Sequence, residues 1–139
     1  MLDTERAMSR ENVKIVQSAA EAFNRRDVDA WLAHFDPDIV WHAFPDEPDP
    51  GPFHGHDAVR AMAARWMDVL SDFRLEAKEF IDEGEYVLMP ARMLGRIRDS
   101  DADVTVDEVY VNKFRNSKIA EVRECRTKEE ALEAVGLRE

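Results

Sequence analysis

The chain has 139 residues, 45% hydrophobic and 35% charged, the composition of one ordinary globular domain rather than of a disordered segment. A formal net charge of −11 opposes nucleic-acid binding, since that affinity comes mainly from neutralising phosphates. One cysteine, Cys125, excludes an internal disulfide, and no apolar run reaches the ~20 residues of a membrane span. A signal-peptide core, a zinc-spaced Cys/His set, a phosphate-binding glycine loop and an HExxH motif are all missing. The expectation is a cytoplasmic protein without metal or organic cofactor, and with neither nucleic acid nor membrane as partner.

Residues 1–8 read as a flexible leader and 9–139 as a single domain. Ser9 is the expected N-cap of a helix on which Val13, Val16, Ala20 and Phe23 recur at helical spacing. Asp27 should cap a short second helix with Val28, Trp31, Leu32 and Phe35 as its apolar face, stopped at Asp36-Pro37. Ile39 to Phe44 reads as a strand. The following PDEPDPGPFHG holds four of the six prolines and reads as a stiff loop across an open edge. His56-Asp57 opens the longest apolar-periodic helix, carrying Val59, Met62, Ala63, Trp66, Met67 and Leu70.

The period then changes to two. Phe73, Leu75 and Ala77 alternate with polar residues as in a half-buried strand, and Asp82-Glu83-Gly84 is a turn. Tyr86 to Ile97 is a strand, apolar on both faces near its start, in which Pro90 marks a bulge or an edge. A long hairpin follows from Val104, turning at Arg115 to Lys118. Thr127 and Glu130 have the spacing of a capping box, and Gly136 stands where a helix C-cap belongs. Helices gathered on one side of a mostly antiparallel sheet make an α+β fold. On the hairpin, Glu108, Tyr110, Asn112 and Phe114 share one face, and Val122, Glu124 and Arg126 share one face of the partner strand. A carboxylate and a phenol among bulky residues suit the wall of a pocket better than a plain structural hairpin.

Three stretches carry a family resemblance over residues 11 to 137: AEAFNRRDVDAWLAHFDPDIVWHAF, PFHGHDAVRAM and VYVNKFRNSKIAEVRECRTKEEALEAVGL. They resemble the SnoaL-like branch of the nuclear transport factor 2-like superfamily. That resemblance implies a cone, a strongly curved sheet wrapped around three N-terminal helices with a pocket inside and a short C-terminal helical segment. Polyketide cyclases, ketosteroid isomerases and limonene epoxide hydrolases share this scaffold, so the chemistry has to be read from the site.

Glu124 matches the position at which the epoxide hydrolases place a catalytic Asp; it is either a general base or acid in an apolar cone or a solvated Glu on the sheet. Arg92 is either its clamp or a residue of the outer sheet face. Leu94 stands where the hydrolases carry a second acid, which disfavours epoxide hydrolysis. Trp41 and His42 end the strand near which ketosteroid isomerases hold their proton-abstracting Asp; Trp41 is expected to line the pocket and His42 is a second candidate base. Tyr110 is either an oxyanion donor or a packed core tyrosine. Glu108, Asn112 and Val122 share these faces, and Phe23, Phe53, Met62 and Trp66 are expected in the apolar wall. His54 and His56 read as exposed or capping groups. The expected ligand is a small apolar or carbonyl-bearing molecule, with cofactor-independent isomerisation or cyclisation as the reaction. The alternative is a non-catalytic binding module. A homodimer through the outer sheet face, using Val109 and Val111, is expected in either case.

Overall fold

The computed structural model describes the backbone of residues 2–136 and the side chains of residues 9–136. Met1 and residues 137–139, on which the ends of the expected leader and of the expected domain fall, lie outside the described residues. Helix α1 spans Leu2–Asn24, so it begins ahead of the Ser9 start expected from the capping signal. Val16, Ala19, Ala22 and Phe23 bury its inner stripe. At its end the Asn24 amide donates to the Leu75 carbonyl at 2.8 Å and accepts from the Leu75 N–H at 2.9 Å, tying helix to sheet.

Asp27 caps helix α2, Val28–Leu32, by accepting from the Ala30 N–H. The helix stops three residues earlier than expected, because Phe35 already opens strand β1, Phe35–His42. Pro37 is accommodated inside β1 where the register with the neighbouring strand shifts between Phe35 and Val40; at such a bulge no ladder hydrogen bond is lost. The proline-rich segment returns to β2, Phe53–His54, at a tight corner. A side chain on Gly51 (φ 87°) would meet Phe53 and the Trp41 carbonyl at 2.9 to 3.0 Å. Helix α3, Gly55–Val69, follows directly.

The remaining strands are β3 (Leu70–Ala77), β4 (Ile81–Glu83), β5 (Tyr86–Ile97), β6 (Asp103–Arg115) and β7 (Lys118–Cys125), and the chain closes with α4 (Lys128–Ala134). The sheet order is β2-β1-β7-β6-β5-β3, with β4 also on β5. All pairs are antiparallel except β1 with β7. Pro90 lies in β5 between the end of its pairing with β3 at Ala91 and the start of its pairing with β4 at Leu88, so its missing N–H costs no ladder bond.

The sheet is curved and unclosed, and its concave face packs on α1, α2 and α3 around the main core. A second, smaller core lies on the opposite face. There Leu88, Val109, Val111 and Cys125 pack under Ala131 of α4, which explains why β5 is apolar on both faces. This corrects the expected dimer surface: Val109 and Val111 are each 4% exposed, covered by the chain's own last helix. The Thr127–Glu130 capping box that starts this helix is formed in both directions.

Candidate active site

Period-2 alternation sends Glu108, Tyr110 and Asn112 of β6 and Glu124 of β7 to the concave face, where they form the polar wall of a cavity of about 260 Å³. The register sets Tyr110 opposite Glu124, and Trp41 on β1 opposite Val122, so three strands deliver their side chains to one place. Facing them, Phe23 of α1 and Met62 and Trp66 of α3 supply part of the apolar wall.

The aromatic groups form a connected array. Trp31 stands 5.1 Å from Phe23, 5.0 Å from Phe35 and 5.9 Å from Trp41, and Trp41 stands 6.1 Å from Tyr110. This packing fixes the Trp41 indole, whose Nε1–H donates to Glu124 Oε2 at 2.7 Å. Glu108 is 5% exposed, and among the described residues its Oε1 has no hydrogen-bond partner. Burial, then the charge of Glu124, pushes the Glu108 carboxyl from the ordinary 4.5 up to about 9. Glu124 is raised as well, by burial, but hydrogen bonds from Glu108 and Trp41 and the Arg126 charge oppose the rise. Both carboxyls therefore hold a proton more firmly than usual, and the indole N–H and Arg126 favour the charged form at Glu124. The Tyr110 phenol is pushed up by burial and by both carboxyls, so it stays protonated as a donor.

Three further groups complete the rim, and sequence reasoning named none of them as site residues. Glu47, from the proline-rich loop, lines the cavity with its carboxyl raised by burial and by the Glu124 charge. Phe44 and Arg126 line it too, the guanidinium lying 3.7 Å over the Phe44 ring and donating to both Asp46 oxygens at 2.8 and 3.0 Å. Alternation from Val122 and Glu124 did put Arg126 on the inner face. Glu47 carries no such signal, being one of several acids in a segment without period.

Four expected site residues do not reach the cavity. His42 follows Trp41 on a strand and so points to the other face, where its Nε2 lies 3.8 Å from Glu121; burial and Arg123 lower its pKa. Arg92 stands between Ala91 and Met93, both inward, and therefore faces outward, where its Nε donates to Asp107 at 2.8 Å. It cannot clamp Glu124. Phe53 is buried in the core with Arg65 over its ring at 5.4 Å, and Val122 is buried beneath the pocket floor; neither lines the cavity. Asn112 lines it but spends its amide on the Val87 carbonyl at 3.2 Å. His56 bonds the Phe35 carbonyl at 2.9 Å.

The SnoaL-like domain model matches residues 16–122, most of the chain. The chain belongs to the SnoaL-like domain family. A protein of unknown function from Burkholderia pseudomallei is 28% identical over 88% of this chain and 95% of its own, with a TM-score of 0.76. A second such fold, from Burkholderia xenovorans, is 27% identical over 90% of this chain and 95% of its own, with a TM-score of 0.71. TerC, co-crystallised with polyporic acid, is 21% identical over 91% of this chain and 98% of its own, with a TM-score of 0.75, a likeness that shows the fold alone. No curated protein matches the chain. The SnoaL-like assignment makes this a domain of a small-molecule-binding family. Among the described residues no helix is long and apolar enough to cross a membrane.

Proposed function

We propose that this SnoaL-like protein moves a proton on a small carbonyl compound held in the cone, by cofactor-independent isomerisation or cyclisation. The observation that supports this reading is the pairing of Glu124, held on the Trp41 indole, with Glu108, whose carboxyl keeps its proton up to about 9. Side by side they offer a proton acceptor whose charged form the indole favours and a proton donor. Glu124 takes the proton from the carbon next to the carbonyl. Glu108 and Tyr110 hydrogen-bond the oxygen on which negative charge develops. Glu124 then returns the proton at a neighbouring atom, so that no redox partner is needed. Cyclisation uses the same carbanion to attack a second carbonyl, which takes the proton.

The pH profile follows from these assignments. Activity should rise as Glu124 ionises and fall again on the alkaline side as Glu108 loses its proton near about 9. The test is deuterium exchange at the carbons flanking the carbonyl in a panel of small cyclic ketones, followed by NMR. Acceleration by the native protein and a loss of roughly 10²- to 10⁴-fold in Glu124→Gln are expected. Equal exchange by the native protein and the variant would sink the assignment. The runner-up, a binding module without catalysis, rests on the largely apolar lining and predicts ligand affinity with no exchange at all.

A further inference from the structure

The acidic end of the cavity is short of positive charge. Glu47, Glu108 and Glu124 all line it, and among the described residues none of the three forms an ion pair. Among the described residues the one guanidinium lining the cavity, Arg126, is engaged on both oxygens of Asp46 and on the face of Phe44. Glu108 Oε1 is the decisive atom: the residue is 5% exposed, lines the cavity, and this oxygen accepts from nothing. A buried acceptor left bare is unfavourable, and a ligand donor recovers that cost on binding.

The surroundings narrow the choice of donor. A carbonyl oxygen or an anion brings only lone pairs to Oε1. A hydroxyl satisfies it but leaves the negative charge of the end unbalanced. An ammonium group does both, and the aromatic Trp41 and Tyr110 that line the cavity beside the pair suit a desolvated organic cation. A bare metal ion fits less well, because among the described residues no three His, Cys, Asp or Glu side chains are arranged to hold one. The formal net charge of −11 would also draw cations toward the protein.

We propose that the molecule this cavity takes carries a protonated amine on an apolar body, the amine donating to Glu108 Oε1 with Glu47 sharing its charge. The inference rests on the cavity being the ligand site, as the proposed function does, and it narrows the substrate to an amine-bearing carbonyl compound.

All three tryptophans of the chain, Trp31, Trp41 and Trp66, line the cavity, so their fluorescence reports its occupancy. Native protein titrated at pH 7 with 2-phenylethylamine, 2-phenylethanol and 3-phenylpropanoate compares cation, neutral and anion on one apolar body. The amine should bind at least about tenfold tighter than the alcohol, and the anion more weakly than either. Glu108→Leu, which removes the acceptor, should bring the amine down to the affinity of the alcohol, and Glu47→Gln should give a smaller loss. An alcohol as tight as the amine, a tighter anion, or no binding by any of the three overturns the proposal, and these comparisons need no variant to fold. The amine preference surviving in both variants overturns it too. Amine preference without ketone exchange would instead remove only the proton-transfer reading, and exchange on neutral ketones without amine preference only this one.

Discussion

Asp107 and Glu108 are neighbours in the chain, carry the same charge and meet opposite fates. Asp107 faces outward from β6, where Arg92 and Lys78 reach it at 2.8 and 3.4 Å and its carboxyl is held below the ordinary range, first by the hydrogen bond from Arg92. Glu108 faces inward, with no cation bound to it and a carboxyl driven up to about 9. The whole of β6 repeats this contrast. Its outer face either pairs its charges, as at Arg96–Asp103, or buries its valines under α4, while its inner face leaves polar groups open to a cavity. One face of the sheet serves stability and the other carries groups that stability alone would not choose. A strand can do both because its alternation isolates the two environments within one residue step.

The largest effect should come from the inner face. Glu124→Gln keeps shape and the Trp41 contact but removes the proposed base, with the roughly 10²- to 10⁴-fold loss of exchange stated above.

Glu108→Gln sharpens the comparison through stability. Folded Glu108 holds its proton from the ordinary 4.5 up to about 9, whereas the unfolded chain releases it in that window, so the unfolded chain binds fewer protons and native stability falls as pH rises. The glutamine variant lacks this penalty. Its thermal midpoint should exceed that of the native protein at pH 8, by on the order of 2 kcal/mol in stability, and converge with it near pH 4. A variant less stable than the native protein at pH 8 would show that the carboxyl is satisfied in a way the geometry does not contain.

At the rim, Arg126→Gln frees the loop that carries Glu47 by removing the Asp46 and Phe44 contacts. KM should rise severalfold, and the acid limb of the pH profile should move to higher pH because the Arg126 charge that holds Glu124 down is lost; an unchanged KM would mean that the loop holds its place through its prolines alone. The smallest effect belongs to the outer face. Asp107→Asn should leave exchange and pH optimum where they are, and shift the thermal midpoint hardly at all, because exposed pairs are screened by water and salt. A measurable drop in exchange would show that the two faces communicate.

Much of the site could be read from alternation. Glu108, Tyr110, Asn112 and Glu124 share the inner face because period two is a property of the backbone, visible in sequence. The same rule, applied to Trp41–His42 and to Met89, Ala91 and Met93, would have turned His42 and Arg92 outward; the apolar Leu88, buried under α4, blurred the phase of β5. Valines on the outer face announce that something covers them but not what, and here it is α4 rather than a second copy. Glu47 could not be read at all. An irregular loop has no period, so only its three-dimensional path selects one of its acids for the cavity.

The parallel pairing of β1 with β7 joins the first strand to the last, and the Trp41–Glu124 hydrogen bond spans 83 positions of sequence. Closing so long a loop is entropically costly before any contact rewards it, and contacts this distant slow folding. The anchored carboxylate therefore exists only once β7 has docked beside β1. During synthesis the chain emerges with its first three helices and first strand long before Glu124 is made. The Glu108–Glu124 pair is thus among the last features to assemble, and a partly folded chain lacks it.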